Sequence, residues 1–449
     1  MTNLNRRSKK QVIAAVTVAA LSVGALAGCS NSGADDADAS EDTSANKTVD
    51  WWTWNPDQAV VGDWVDLFNK EHPDITINYR YIAFDDYANA LRLAITTPSG
   101  PDVFGLNYGP MADQFGSAAI DLAPLAEENI GADWQDQLLG EDQLRVDDKQ
   151  VALPWMVTGG GTLWYNQTVF DEAGATYPTN LDEWKKTCEK IEAIDKTCFT
   201  QGAKSSDFNR DIYVAIMNQI SPGIVWDAAA GEVPFDSPEF IEGFEAWKSL
   251  FDEGIIEDGA FGLAQYPDAY DEFNRGEAGM IALGTWNNSN MTKAARDGNV
   301  ETYGDVANDQ VFTSGAFPTV VDSPMATDIL RVGPDIAWAI SEESDAKEAA
   351  WTFIDWLTTS DAAQDKIGST LQTPALVSAE IDRSDLVDPE LQNPALDSQA
   401  TAMADESGSG SFPNADIENA LYQALASTAT EGLSAEDAAK SVQAAIDAS

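Results

Sequence analysis

From residue 48 onward, short apolar runs alternate with stretches whose apolar residues recur every three or four positions. "TVDWWTW" (48–54) predicts a strand. "VVGDWVDLFNKEH" (60–72) places Val61, Trp64, Val65, Leu67 and Phe68 on one face and predicts an amphipathic helix. "ITINYRYI" (75–82) alternates as a strand, "YANALRLAIT" (87–96) is helical, and "PDVFGLN" (101–107) is a short strand. A β-α-β-α-β order of this kind implies parallel strands covered by helices. The pattern continues with strands at "QVALPW" (150–155) and "GTLWYN" (161–166) and a helix at "LDEWKKTCEKIEAI" (181–194), where Asn180 and Glu183 are spaced as a capping box. Later helices are predicted over 210–220, 237–254, 270–276, 345–359 and from 415 onward, with strands "AGMIALG" (278–284) and "DIAWAIS" (335–341). At 449 residues the chain exceeds one small core and suits two lobes.

A formal net charge of −50 excludes binding to nucleic acid, which needs basic patches, and excludes charge-driven binding to anionic lipid. The single histidine, His72, rules out a Ser–His–Asp triad or a His-rich zinc site unless it takes part itself; beside Pro73 it reads as a helix-end residue. No metal or cofactor is expected.

The first residues address the chain outward. Arg6, Arg7, Lys9 and Lys10 precede the apolar run "QVIAAVTVAALSVGALAG", the pattern of a secretory signal. The end of that run, "LAGC", resembles the lipobox of bacterial lipoproteins. That resemblance implies a signal peptide over 1–28 and lipidation of Cys29; a plain signal peptide or N-terminal anchor is the alternative. Residues 29–47 carry no aromatic or branched aliphatic side chain and read as a flexible acidic tether. Outside the cell Cys188 and Cys198 are candidates for a disulfide, with two free thiols as the alternative.

The 14 tryptophans divide by position. Trp64, Trp184, Trp247, Trp351 and Trp356 have helical apolar spacing and read as core. Others stand at the carboxyl ends of predicted strands, where open α/β sheets bind ligands. Trp52 and Trp54 end the first strand before Asn55-Pro56, Asn107 and Tyr108 follow "DVFGL", Trp155 ends "QVALPW", and Trp286 follows "GMIALG". Together they predict a cleft lined by rings and amides. Trp51 is expected to pack inward, and Trp52, Trp54 or both to face the cleft, since one slip of register exchanges them.

Four blocks carry a family resemblance: "GPDVFGLNYGP", "GTLWYNQTVFDEAGATYPTNLDEW", "EFNRGEAGMIALGTW" and "DIAWAISEESDAKEAAWTFIDWLTT". In this order they resemble the family 1 extracellular solute-binding proteins of ABC importers, nearest to those that bind carbohydrates. The resemblance implies a two-lobed periplasmic-binding-protein-like α/β fold (type II). Each lobe would hold a mostly parallel sheet flanked by helices, joined by a hinge that closes over ligand. It divides the chain into lobe 1 (48–156 plus 316–372) and lobe 2 (157–315 plus 373–449). It places crossings near Trp155–Gly160, Ser314–Phe317 and Leu371–Pro374. Gly159–Gly161 would absorb backbone rotation there. The resemblance also implies that Trp286 stacks on a sugar ring, that Asn107, Tyr108, Trp52, Trp54 and Asn55 line the cleft, and that Asp335 and Trp338 approach it from the hinge.

The sequence reading is therefore a monomeric, lipid-anchored, non-enzymatic protein that captures an oligosaccharide and delivers it to ABC transporter permease subunits. A pyranose offers apolar C–H faces and a hydroxyl rim, which rings and amides or carboxylates match. One rival is a binder of a cationic solute such as a polyamine, held by acids and aromatics. The other is a glycoside hydrolase, which needs two carboxyls straddling one bond. Asp85-Asp86 is the pair to test; its bland reading is a helix N-cap, and Asp85 would still suit a hydrogen bond to a sugar.

Overall fold

The computed structural model describes residues 47–257, 259–325, 330–404, 412 and 415–448. The signal segment, Cys29 and all of the tether except Lys47 lie outside the described residues.

Among those described, the strands in chain order are β1 (Thr48–Thr53), β2 (Thr76–Tyr81), β3 (Val103–Leu106), β4 (Arg145–Val146), β5 (Lys149–Gln150), β6 (Leu153–Asn166), β7 (Thr197–Thr200), β8 (Ala278–Gly284), β9 (Phe312–Gly315), β10 (Arg331–Ile340) and β11 (Thr373–Pro374). β4 and β5 form a small hairpin. The other nine make one sheet, ordered β2-β1-β3-β10-β6-β8-β7, with β9 and β11 also pairing to β6.

The predicted β-α-β-α-β start is present: β1 lies parallel to both β2 and β3, and the helices Val61–Glu71 and Phe84–Ala94 connect them. In the first of these helices Trp64 and Phe68, one turn apart, are the buried pair. His72 closes it and stacks on Phe68, with centroids 4.8 Å apart.

The sheet is mixed rather than mostly parallel, which corrects one part of the expectation. β10 runs antiparallel to both β3 and β6, and β6 runs antiparallel to β8 and β9; in the second lobe only β7 and β8 pair in parallel. The two predicted strands at 150–155 and 161–166 are one strand of 14 residues. The glycine run looked like a break, but partners on both sides carry the ladder through it. Register shifts between Gly160 and Thr162, and Gly161 takes φ +99°, a conformation glycine tolerates without strain.

The two lobes have separate cores. In the first, one face of the sheet packs Trp51, Trp64, Phe68, Trp155, Trp338 and Phe353. The other face packs Trp52, Tyr87, Leu91, Phe104 and Leu106. The second lobe packs Trp184, Phe199, Tyr213, Phe244, Trp247 and Leu425, and beneath its cleft wall Trp164, Phe208, Phe273, Leu283 and Phe312. β6 links them, carrying Trp155 in the first core and Leu163 in the second.

The second crossing is displaced from Ser314–Phe317. Phe317 belongs to the second core, the Thr319 amide donates to the Thr179 carbonyl, and the Val320 amide donates to Gln219 Oε1. The chain crosses instead along β10, where Arg331–Pro334 pairs with Gly160–Val157. Near the third crossing, Leu371 packs in the second lobe, β11 pairs with Val157 and Met156, and Leu376 packs in the first. Cys188 and Cys198 are joined by a disulfide between the helix Leu181–Glu192 and β7.

That helix also shows how local signals shift by one residue. Asn180 Oδ1 accepts from the Glu183 amide, as a capping box requires, but the Glu183 carboxylate accepts from the Thr179 amide rather than from Asn180.

Candidate functional site

The strand-end rings separate into buried and open sets. Trp155 is 2% exposed and Trp338 is fully buried. Their centroids lie 5.2 Å apart, with Trp64 against Trp155 and Trp51 against Trp338. Both are core residues, which corrects their expected place in the cleft. They sit on the first-lobe halves of the crossing strands, which are covered on both faces there, so no strand end is free. Trp52 is also withdrawn, at 7% exposure, with the Arg80 guanidinium 4.0 Å over its ring. Trp51 is fully buried, as expected.

Trp54 is the member of the opening cluster that stays partly open, held edge-on by Phe84 and Tyr87 at 5.5 and 4.8 Å. Asn55 follows in a turn in which Thr53 Oγ1 donates to the Asn55 carbonyl. At the end of β3, Asn107 keeps its side-chain oxygen buried without a hydrogen-bond partner among the described residues. An unpaired buried acceptor costs about 1–3 kcal/mol, so it is a group that gains from an incoming donor. Tyr108 is 8% exposed, and its hydroxyl meets the Arg331 guanidinium.

The second-lobe wall is built around Trp286, which follows β8. Its ring folds back over Gly284, where a Cβ would collide with it. Trp286 Nε1 donates to the Tyr266 hydroxyl at 3.0 Å, and Phe208 sets its edge against both rings. Tyr266 and Tyr270 lie 5.0 Å apart. Tyr270 donates to Asn287 Oδ1 at 3.2 Å, while Asn290 Nδ2 donates to Asn274 Oδ1 at 2.8 Å. Asn287 is 3% exposed, and its Nδ2 has no partner among the described residues.

Charged groups of the two lobes act on one another here. Desolvation raises the Asp85 carboxyl pKa; Lys204 opposes the shift, and Asp207, Asp86 and Asp268 reinforce it. Lys204, Asp207 and Asp268 all belong to the second lobe, whereas Asp85 opens a first-lobe helix. Burial raises Tyr270, and Asp57 of the first lobe adds to the shift. Burial likewise raises Tyr266, with smaller contributions from Asp335 and Tyr81. Asp335 itself is pushed up to about 6 by burial, with Arg331 opposing and Asp211 reinforcing. Asp335 lies on β10, and its charge acts on Tyr266 of the second lobe.

Asp85 and Asp86 are not N-caps: Ala83 holds that position, and the two acids fill the first turn, where the helix dipole favours them. Among the described residues no three His, Cys, Asp or Glu side chains are grouped to hold a metal ion. No described helix is long and apolar enough to cross a membrane.

Sequence reasoning missed Tyr266, Tyr270, Asp211 and Arg331. The tyrosine pair was visible as two rings four residues apart in "QYPDAY". Arg331 gave no comparable local signal.

A family model described as bacterial extracellular solute-binding protein matches residues 52–364. Over 244 residues the chain is 23% identical to the xylose/arabinose-binding protein XacG of Haloferax volcanii, covering 52% of each chain. Over 190 residues it is 29% identical to the diacetylchitobiose binding protein DasA of Streptomyces coelicolor, covering 41% of this chain and 43% of the relative. The chain thus spans about half the length of the curated relatives it matches. A solved structure from work on xylan utilization by the thermophilic bacterium Caldanaerobius polysaccharolyticus superposes with a TM-score of 0.72 at 21% identity, covering 88% of this chain and 99% of that one. At that identity the likeness establishes a shared fold. Since the family match runs from Trp52 through β2, β3, β6, β8 and β10 and includes the Trp286 wall, the chain belongs to the bacterial extracellular solute-binding proteins.

Proposed function

We propose that this protein captures an oligosaccharide in the cleft between its lobes and hands it to the permease of an ABC importer. The carrying observation is the pairing of ring walls with unpartnered amides. Trp286, Tyr266 and Tyr270 form a ring cluster in the second lobe and Trp54 stays partly open in the first, while Asn107 Oδ1 and Asn287 Nδ2 are an acceptor and a donor without partners among the described residues. Rings cover the apolar faces of a pyranose, and amides satisfy its hydroxyls. The names of the relatives, one for xylose and arabinose and one for diacetylchitobiose, support a sugar without choosing its length or linkage. In this reading the protein acts as a monomer tethered outside the cell through lipid on Cys29, and Asp85 adds a hydrogen bond at the cleft mouth. The lobe boundaries follow the crossings along β6, β10 and β11.

One observation favours a second reading. Asp57, Asp207 and Asp268 each act on a titratable group of the opposite lobe, and Asp335 acts on Tyr266, so a cationic solute between the lobes would meet both carboxylates and rings. Titration calorimetry against diacetylchitobiose, xylo- and malto-oligosaccharides, spermidine and putrescine separates the two. Saturable heat with a sugar, lost in Trp286→Ala, supports the sugar reading. Heat with a polyamine alone replaces it with the cationic one. For the anchor, Cys29→Ala is expected to release the protein from membranes into the medium; retention would refute lipidation there.

A further inference from the structure

Arg331 stands at the start of β10, the strand along which the chain passes between lobes. Its Nε donates to Asp211 Oδ1 at 2.9 Å and its Nη2 to Asp211 Oδ2 at 3.3 Å, a forked pair to the second lobe. Its Nη1 donates to the Tyr108 hydroxyl, which stands at the end of β3 in the first lobe. Asp211 is on the helix Ser206–Ile220, beside Arg210, and Arg210 Nη1 reaches Glu418 Oε1 at 2.6 Å on the helix Ala415–Thr430. The side chains of Arg331 and Asp211 are only 12% and 7% exposed. One guanidinium therefore holds both lobes at once, and its second-lobe partner is braced by a further helix.

The backbone is shaped to admit this contact. Gly160 pairs with Arg331 in the ladder, and a Cβ there would sit 2.5 Å from Asp211 Oδ2 and 3.0 Å from Arg331 Nη2. On β10, a Cβ at Gly333 would strike the Tyr108 ring. A glycine on each crossing strand thus leaves the room that the acid and the phenol occupy.

From this we infer that Tyr108–Arg331–Asp211 is a latch that holds the lobes in the arrangement described here, and that it sets ligand affinity through the closure equilibrium rather than by touching ligand. The inference rests on the reading of the protein as a closing two-lobed binder. A hinge rotation that carries the end of β3 away from the helix Ser206–Ile220 cannot keep both ends of Arg331 engaged. Whatever contact is lost on opening stabilises the closed state alone, and only such differences move an equilibrium. Arg331 and Asp211 are positioning residues in this scheme. Tyr108, 8% exposed, fastens the latch through its hydroxyl.

The test is small-angle scattering of the ligand-free protein, wild type beside Tyr108→Phe and Asp211→Asn, with circular dichroism to establish folding. Tyr108→Phe keeps the ring and removes only the hydroxyl, so it remains informative if Asp211→Asn fails to fold. Both variants are expected to show a larger radius of gyration than wild type without ligand. Both should return to the wild-type radius with a saturating sugar from the panel above, and bind that sugar about tenfold more weakly. A residue that merely touches ligand would leave the ligand-free radius unchanged. If sugar contracts wild type but Tyr108→Phe matches the wild-type ligand-free radius, the latch is refuted while the closing binder stands. If the variants are expanded without ligand but no panel member returns them to the wild-type radius, the closing binder fails, and the ligand-free comparison still decides whether the latch holds the lobes.

Discussion

The first-lobe face of the crossing strands and the second-lobe wall are both rich in tryptophan, and they use it oppositely. Trp155 and Trp338 interlock with Trp64 and Trp51 in one cluster, and the indole nitrogens of Trp51, Trp155 and Trp338 are buried without partners among the described residues. Trp286 instead has its nitrogen fixed by Tyr266 and keeps part of its ring open. The first group is shaped by close packing alone. The second is held by hydrogen bonds that leave a face available. The chemistry of the residue is the same; what differs is whether a strand end emerges from the sheet or is covered on both faces.

Breaking the core side should give the largest effect. Trp338→Ala removes a fully buried ring and is expected to lower stability by ~3–5 kcal/mol in chemical denaturation. Affinity of the folded fraction should change far less. A large affinity loss with little loss of stability would place Trp338 at the ligand after all.

Asp335 marks the boundary between the two regions, three residues before Trp338 on the same strand. Its pKa is pushed up to about 6 from an ordinary 3.8, chiefly by burial. Well below pH 3.8 the carboxyl is protonated in both the folded and unfolded chain and costs nothing. As pH rises toward 6 the unfolded chain ionises first, so stability is lost through that window, with the full cost present above it. The ceiling is roughly 3 kcal/mol, lowered by solvent reaching a partly exposed side chain. The stability advantage of Asp335→Asn over wild type should therefore widen between pH 4 and 6 and then level. Parallel stability curves would show that Asp335 stands in water.

Trp286→Ala sharpens the other side. It should weaken sugar binding by roughly 10–100-fold, or ~1–3 kcal/mol, with thermal stability altered less than in Trp338→Ala. An equal affinity loss in both variants would erase the distinction between the two groups.

The sequence made some of this legible and not the rest, for physical reasons. Helices and strands near the N-terminus were readable because periodicity is local, and Trp64 with Phe68 announced their shared face. The continuity of β6 through Gly159–Gly161 was not legible, since its strand character there depends on partners on β8 and β10, each more than a hundred positions away. The same holds for the strand-end rule. It pointed to Trp286 and Trp54, which stay partly open, and equally to Trp155, which is buried; which strand ends are enclosed is decided by the antiparallel passage of β10, and nothing near Trp155 encodes that. Arg331 is the extreme case. Its partners lie 120 and 223 residues distant, and an arginine at the start of an apolar run looks like an ordinary strand boundary.

The smallest expected effect asks whether hydrogen bonding, rather than mere openness, defines the second-lobe wall. Tyr266→Phe keeps the ring, its packing on Phe208 and its contact with Tyr270, and deletes only the oxygen that accepts from Trp286 Nε1. A hydrogen bond of this kind is worth about 0.5–1.5 kcal/mol net, so affinity for a sugar should fall by roughly 2–10-fold. If the bond orients the Trp286 ring before ligand arrives, the indole regains freedom in the variant and part of the loss becomes an ordering cost on binding. Calorimetry should then show a less favourable entropy of binding, with heat largely preserved. If the bond merely joins two rings already fixed by packing, affinity should stay within twofold of wild type, and the wall would be held as the buried tryptophans are, by shape alone.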